Sequence, residues 1–357
     1  MTLQFPQQTT SETPRGQTPL LELKGLKVGF NSPAGEVPVV RDVSFSINPG
    51  EVVGLVGESG SGKSVTALSL MRLIASPPGN IQAGQALFEG QDLFQLPEPA
   101  MRRIRGNRIS MIFQEPMSSL NPLMPIGKQI SEVFQLHQGL SKAEARKQAV
   151  AMLERVQIPA AKRRMRDFPH QLSGGMRQRV MIAMALCCNP ALLIADEPTT
   201  ALDVTIQHQI MDLIMQLRAE YGSAVLMITH DLGVIAETAQ KMVVMYAGQV
   251  VEAGRVDEIF AAPAHPYTQA LMRSVPVLGR RAKFGRQRLA EISGTVPDPA
   301  NLPPGCAFCN RCEKVQPLCQ TTAPALVKGT SDRFLRCHFP LIEDVIEPNS
   351  ADHKVQS

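Results

Sequence analysis

The chain reads Gly57-Glu58-Ser59-Gly60-Ser61-Gly62-Lys63-Ser64 directly after a short apolar run, Val52–Val56. This octapeptide matches the phosphate-loop pattern G-x-x-x-x-G-K-[ST] at every fixed position. Its glycines allow consecutive backbone N–H groups to point inward. With the N-terminus of a following helix, these donors can surround phosphate oxygens. A helical pattern follows from Lys63, so the expected strand–loop–helix context is present. The stretch predicts a nucleotide site.

Each side chain of this loop has an expected role. Lys63 should reach the β- and γ-phosphates of ATP as a mobile positive charge, and the Ser64 hydroxyl should bind Mg²⁺. We assign the following loop residues to the nucleotide: Gly57, Ser59, Gly60, Ser61, Gly62, Lys63, Ser64 and Thr66.

Two acids follow a second apolar strand, Leu192-Leu193-Ile194-Ala195-Asp196-Glu197. The carboxyl ends of parallel strands meet at one edge of a sheet, so we expect both acids beside the phosphate loop. Asp196 would then support Mg²⁺, and Glu197 is the candidate general base for the attacking water. Alone, such a pair is also typical of a helix N-cap, but the phosphate loop favours the catalytic interpretation.

Strand and helix patterns alternate along much of the chain, which favours the α/β class with a parallel sheet. Strands are expected at 21–30, 191–195 and 224–229, with a strand pair around 39–47 after a Pro/Gly loop at 31–38. Helices are expected at 205–221 and 232–239. The predicted domains are a disordered leader (1–20), an ATPase domain (21–260) with a helical subdomain over about 91–179, a C-terminal extension (261–342) and a disordered tail (343–357).

Composition limits the classes of function. The 357 residues are 44% hydrophobic and 19% charged, enough for one large globular domain with an appendage. A net charge of +4 is too small an excess to indicate a nucleic-acid partner. The first twenty residues lack the apolar segment of a signal peptide, and the longest apolar stretch is interrupted by Asn189 and Pro190. We expect a cytosolic protein, unless a partner holds it at a membrane.

A third motif, Leu172-Ser173-Gly174-Gly175-Met176-Arg177-Gln178-Arg179, precedes the two-acid strand. It resembles the signature motif of ABC-type ATPases. The resemblance implies an ABC-type core, in which a parallel sheet carries an antiparallel β subdomain. It also implies that Ser173, Gly174 and Gly175 meet the γ-phosphate bound to a second subunit. A helix N-terminus favours an anion by its dipole, which is consistent with that role.

Further residues lie where this family has functional positions. By resemblance, Gln114 senses Mg²⁺ as well as contacting a transmembrane partner, and His230 contacts the γ-phosphate as the switch histidine. Asp203, in Ala201-Leu202-Asp203, resembles the dimer-contacting loop. Phe30 stacks on adenine in place of a more usual tyrosine, or is an ordinary core residue.

Two segments point to the importer branch. Residues 112–124 resemble the segment that docks a membrane subunit, and residues 265–271 (HPYTQAL) resemble a motif of the dipeptide, oligopeptide and nickel importers. Within this branch the chain resembles the dipeptide importer ATPase subunits. This implies a second ATPase subunit, expected to be a paralogue in a heterodimer, two transmembrane permeases, and a periplasmic or lipid-anchored substrate-binding protein. The expected location is the cytoplasmic face of the bacterial inner membrane, as a peripheral subunit.

Seven cysteines divide into two groups. Cys187 and Cys188 lie in an apolar helical run and are expected to pack in the core. The others are Cys306, Cys309, Cys312, Cys319 and Cys337. By resemblance to the dipeptide-importer subunits, we expect the members other than Cys309 to ligate a [4Fe-4S] cluster. Zinc and free thiols stay open, because thiolates suit zinc as well as iron–sulfur clusters.

Other functions fit the sequence less well. An ABC-type ATPase acting on chromosomes would carry long coiled coils between phosphate loop and signature, and the interval from Gly57 to Ser173 leaves no room for them. Translation-associated members usually hold two such domains in one chain. A nucleotide-binding regulator conflicts with the presence of Glu197 and His230. Among importer cargoes, peptides, nickel chelates and glutathione all stay open.

Overall fold

The computed structural model describes residues 18–33, 35–115, 119–199, 203–274, 292–329 and 332–342. Its strands are β1 (Leu21–Ser32), β2 (Gly35–Ile47), β3 (Val52–Val56), β4 (Gly79–Phe88), β5 (Gln91–Asp92), β6 (Ile109–Ile112), β7 (Leu192–Asp196), β8 (Ala224–Ile228), β9 (Lys241–Tyr246), β10 (Gln249–Arg255), β11 (Val327–Lys328) and β12 (Phe334–Leu335). The helices are α1 (Lys63–Leu70), α2 (Glu98–Ile104), α3 (Ile126–Gln138), α4 (Lys142–Arg155), α5 (Ala161–Arg164), α6 (Gly174–Leu186), α7 (Val204–Tyr221), α8 (Leu232–Thr238), α9 (Val256–Ala261), α10 (Pro266–Arg273) and α11 (Pro317–Thr321). The predicted leader and tail lie almost wholly outside the described residues.

A parallel region forms the centre of the sheet, in the order β9-β3-β8-β7-β6. Every residue of β3, β6, β7 and β8 is buried, which explains why these strands are short, continuous apolar runs. Since the four strands are parallel, their carboxyl ends share one edge. The phosphate loop after β3 and the acids at the end of β7 therefore lie on the same side of the molecule.

An antiparallel region continues the sheet beyond β10, in the order β2-β1-β4-β5. This arrangement confirms the predicted parallel sheet with an antiparallel subdomain. The predicted loop at 31–38 is much shorter in the structure, because β1 runs to Ser32 and β2 starts at Gly35. Pairing of Asn31 with Glu36 extends the two strands almost to the turn.

The block at 91–179 is not helical throughout. Strand β6 pairs with β7 at one edge of the sheet, and β5 pairs with β4 at the opposite edge. The run Ile109–Ile112 is only four residues long and fully buried, so its sequence shows no period that separates strand from helix. Helices α3, α4 and α5 follow it, and they pack against α6 in one large apolar core.

The C-terminal extension is anchored on a buried acid of β10. Glu252 is completely buried, and its carboxylate accepts N–H bonds from Ala264 (2.9 Å) and His265 (3.0 Å). The buried Arg333 guanidinium also donates to it, with Nε 3.1 Å from Oε1. A second arginine, Arg336, donates to Asp42 at 2.8 Å. These bonds join the described parts of the C-terminal extension to the sheet.

None of the helices in the described part of the chain is long and apolar enough to cross a membrane.

Replacing Arg333 with methionine should lower the free energy of unfolding by about 3 kcal/mol, because Glu252 would keep a buried charge without its cationic partner. Denaturant titration of the full chain measures this. Arg255→Met is the matched control, since Arg255 pairs with Asp257 on the exposed surface and should contribute at most about 1 kcal/mol. Equal effects of the two substitutions would contradict the anchoring role.

Candidate functional site: a phosphate loop with converging acids

The phosphate loop is held at the sheet edge by close backbone contact. Gly57 has a φ of 152°, and a Cβ atom there would lie 2.2 Å from the carbonyl oxygen of Met245 on β9. Only glycine allows this approach. Gly62, with a φ of 96°, is the N-cap of α1. The loop therefore leads directly into a helix N-terminus, as predicted.

The interior of the loop is occupied by Lys63. Its side chain is buried, and Nζ donates to the carbonyl oxygens of Gly57 (2.8 Å) and Glu58 (3.0 Å). Burial lowers the pKa of Lys63, and the nearby carboxylates of Glu197 and Asp196 oppose that shift. An ammonium group held by two neutral carbonyls and facing two acids is placed to bind a phosphate.

The other predicted loop residues differ in exposure. Ser59 and Gly60 are exposed, whereas Ser61 is completely buried and its hydroxyl has no hydrogen-bond partner among the described residues. The Thr66 hydroxyl donates to the carbonyl oxygen of Gly62 at 2.9 Å and so stabilises the first turn of α1. Thr66 therefore supports the loop from within.

Asp196 and Ser64 lie together, as the magnesium prediction requires. The Ser64 hydroxyl donates to Oδ1 of Asp196 at 3.1 Å, and Asp196 is buried at the end of β7. Burial raises the pKa of Asp196, and the neighbouring Glu197 adds to this effect, while Ser64 and Lys63 oppose it. A hydroxyl and a carboxylate are oxygen donors of the kind that Mg²⁺ prefers.

Glu197 is held in a strained conformation beside two other predicted residues. Its φ is 45°, uncommon for a residue with a side chain, and its N–H donates to the carbonyl oxygen of Ile228. Nε2 of Gln114 donates to Oε2 of Glu197 at 3.0 Å, and Nδ1 of the exposed His230 lies 3.6 Å from Oε1. The structure thus brings Gln114, Glu197 and His230 together at one edge of the sheet.

The signature residues form a separate group at the starts of two helices. Ser173 is the N-cap of α6 and accepts the N–H of Met176. Asp203 is the N-cap of α7 and accepts the N–H of Ile206 at 2.9 Å. A Cβ atom at Gly175 would lie 3.1 Å from Cγ2 of Ile206, so the two helix starts are close. Ala201 and Leu202 lie outside the described residues.

Phe30 is on β1 and half-buried, and it packs against the core of the antiparallel region. A Cβ atom at Gly79 would lie 3.0 Å from Cε1 of Phe30. Both expectations for this residue, adenine stacking and core packing, stay predictions.

Sequence reasoning missed a contact between the C-terminal extension and the loop. The N–H of Glu58 donates to Oη of Tyr267 at 2.9 Å, and Arg311 forms an ion pair with the Glu58 carboxylate. Tyr267 belongs to the HPYTQAL segment that the sequence had singled out. For Arg311 the sequence offered no signal, because a lone arginine between cysteines has no local pattern that names its partner.

The five C-terminal cysteines line one small cavity, together with His265, Pro266, Phe308, Lys314, His338 and Phe339. None of the seven cysteines, all of which lie within the described residues, forms a disulfide. Burial raises the pKa of Cys306 to about 11 and that of Cys337 to about 12. Among the described residues, however, no three histidine, cysteine or acidic side chains are arranged to hold a metal ion. Cys187 is buried in the core, as predicted.

Comparison with known proteins identifies the family. A family model described as ABC transporter matches residues 40–200, and one described as oligopeptide/dipeptide transporter, C-terminal region, matches residues 251–319. A putative peptide import ATP-binding protein of Brucella melitensis is 54% identical over 326 residues, covering 89% of this chain and 96% of that protein. The chain belongs to the oligopeptide and dipeptide transporter family of ABC ATPases.

Other relatives of this family agree. The oligopeptide transport ATP-binding protein AppD of Bacillus subtilis is 51% identical, and OppD of Salmonella typhimurium is 48% identical. They align over 89% and 94% of this chain, and over 96% and 98% of their own lengths. A dimeric structure of the ATP-binding cassette MJ0796 with ADP and Pi superposes with a TM-score of 0.59 at 28% identity, covering 66% of this chain and 98% of that one. The ABC ATPase core predicted from the sequence is confirmed.

Replacing Asp196 with asparagine should raise the melting temperature of the nucleotide-free, magnesium-free chain by about 1–3 °C at pH 7.5. The pKa of Asp196 is raised in the folded chain, so folding favours the neutral acid, and ionisation costs stability as pH rises through the folded pKa. The gain should shrink as the pH falls towards the ordinary aspartic acid pKa of about 3.9, because protonation of the wild-type carboxyl removes the cost.

Differential scanning fluorimetry across this pH range measures the effect. Asp212→Asn, at an exposed position of α7, is the control and should change nothing. A lower melting temperature for Asp196→Asn at pH 7.5 would contradict the argument.

Proposed function

We propose that this chain binds and hydrolyses ATP to power the import of dipeptides or oligopeptides across the bacterial inner membrane. The observation that carries this is the convergence of Lys63, Ser64, Asp196 and Glu197 at one edge of the sheet, in a chain that also has the family's C-terminal region. The same region favours a transporter over an ABC-type ATPase acting on DNA or ribosomes. Within the chain, residues 21–260 would form the ATPase domain and residues 261–342 the extension.

The described residues support a division of roles in hydrolysis. The loop N–H groups and Lys63 would hold the ATP phosphates, while Ser64, Asp196 and Gln114 would hold Mg²⁺. Bound Mg²⁺ neutralises charge on the transferred phosphoryl group. Glu197, oriented by Gln114, would accept the proton of the attacking water. His230, beside Glu197, would contact the γ-phosphate.

A second ATPase subunit would complete the site. Ser173, Gly174 and Gly175 at the N-terminus of α6 and Asp203 at that of α7 would face the nucleotide of that partner. The dimeric state of the MJ0796 cassette supports such a pairing. We expect a paralogue as partner, with two transmembrane permeases docking near residues 112–124 and a periplasmic or lipid-anchored substrate-binding protein. The chain would then lie at the cytoplasmic face of the membrane.

Replacing Glu197 with glutamine should reduce ATP hydrolysis by about 100-fold or more, because the group that activates water is lost while the contacts to phosphate stay. ATP binding should be retained and the closed dimer should accumulate. Uptake of a labelled di- or tripeptide by membranes containing the assembled transporter should stop. Lys63→Ala is the contrasting variant, which should lose ATP binding itself. Hydrolysis at the parental rate by Glu197→Gln would remove this residue as the base.

The cysteine cavity fits an iron–sulfur cluster by its donors. Thiolates are the usual ligands of such clusters, and Cys306, Cys312, Cys319 and Cys337 line one cavity whose other walls include Pro266, Phe308 and Phe339. Thiolates also suit a single zinc ion, and the metal content of the purified chain separates the two. We infer that these four cysteines hold a [4Fe-4S] cluster with a structural role, and that Cys309 is not a ligand.

Anaerobic purification of the full chain should yield close to four iron atoms and four acid-labile sulfides per chain. Cys306→Ser should lose most of this iron, whereas Cys309→Ser should retain it. Stoichiometric zinc without iron or sulfide would overturn the cluster, and equal losses in both variants would overturn the ligand assignment.

A further inference from the structure

One buried arginine of the extension, Arg311, contacts the phosphate loop. The side chain of Arg311 is only 6% exposed, and its two terminal nitrogens donate to the two carboxylate oxygens of Glu58 at 2.6 and 3.1 Å. The guanidinium also donates to Oη of Tyr246 and to the carbonyl oxygens of Ile292 and Ser293. A two-pronged arginine–carboxylate pair fixes orientation as well as distance. The position of Glu58 is therefore set by the extension.

Glu58 is also bonded through its backbone on both sides. Its N–H donates to Oη of Tyr267 at 2.9 Å, and its carbonyl oxygen accepts Nζ of Lys63 at 3.0 Å. Two of these three contacts, from Tyr267 and Arg311, come from the C-terminal extension. The third contact comes from Lys63, the lysine of the phosphate loop. A displacement of Glu58 would thus move the carbonyl against which Lys63 rests.

Arg311 differs from the other buried arginines that tie the extension down. Arg333 pairs with Glu252 on β10, and Arg336 pairs with Asp42 on β2. Both contacts are made to strands of the sheet. The Arg311 contact is made to the second residue of the phosphate loop, next to Gly57. Anchoring the extension to the sheet does not require an arginine that pairs with the phosphate loop.

We propose that Arg311 is a positioning residue for ATP binding, which acts through Glu58 to hold the phosphate loop and Lys63 in the geometry that receives phosphate. The proposal rests on the nucleotide site proposed above. The C-terminal extension is then a part of that site, since Arg311 positions a loop residue that lies 253 positions earlier in the chain.

The test is nucleotide affinity in the full chain. Arg311→Met should raise the dissociation constant of a fluorescent ATP analogue roughly tenfold, a typical coupling between directly paired side chains. Arg311→Lys should recover part of this loss, because lysine keeps the positive charge but not the two-pronged geometry of the guanidinium. In the assembled transporter, KM for ATP should rise while kcat changes less than about twofold, as expected when binding rather than the chemical step is weakened.

Two matched controls separate positioning from general loosening. Arg336→Met removes another buried arginine that joins the extension to the sheet, and it should lower thermal stability without changing ATP affinity. Arg273→Met removes an exposed pair with Glu313 and should change neither. An unchanged affinity in Arg311→Met, or an equal loss in Arg336→Met, would overturn the proposal.

Glu58→Gln gives an independent arm if Arg311→Met does not fold. It should weaken ATP binding to a similar extent, and the double variant should be no weaker than either single one, because both remove the same interaction. Additive losses would show that Arg311 does not act through Glu58. Lys63→Ala tests the site itself: if that variant binds ATP normally, the nucleotide assignment fails, whatever Arg311 does.

Discussion

The close approach of Gly57 to the carbonyl oxygen of Met245, which leaves no room for a Cβ atom, is the constraint on which the site depends. It allows the start of the phosphate loop to lie against β9, next to the central strand β3. Because β3, β8, β7 and β6 run parallel, everything that follows their carboxyl ends arrives at the same edge. Gln114, Asp196, Glu197 and His230 come from three different strands. They meet there because the sheet places the strand ends side by side.

The site contains buried charges, a strained backbone and a hydroxyl unpaired among the described residues, all of which lower the stability of the fold. Lys63 has a lowered pKa and Asp196 a raised one, both chiefly because burial penalises their charged forms. Glu197 adopts a left-handed backbone conformation, and within the described part of the chain the buried Ser61 hydroxyl has no hydrogen-bond partner. Strain and unsatisfied polar atoms of this kind collect at functional sites, where a ligand rather than the protein completes the interactions. A bound triphosphate with its cation would satisfy both the ammonium group and the carboxylate.

The C-terminal extension is more than an appendage on this core. It is anchored by Glu252 and Arg333 on β10, and Tyr267 and Phe308 join the main apolar cluster. From that base, Tyr267 and Arg311 hold Glu58. Arg311 lies between Cys309 and Cys312 in the sequence, so the segment that lines the cysteine cavity also contacts the phosphate loop.

The sequence by itself determined the phosphate loop, the two-acid strand, the signature helix and the α/β class. Each depends on residues within about ten positions of one another, and local backbone geometry dictates which residue types fit. Only the tertiary structure decided that β6 belongs to the main sheet, since a run of four buried residues is too short to show a usable period. By resemblance, four of the five C-terminal cysteines were expected to lie together, and the structure places Cys309 in the wall of the same cavity. The Arg311–Glu58 pair had no signal at all, because its partners are 253 residues apart and a salt bridge leaves no pattern in a single sequence.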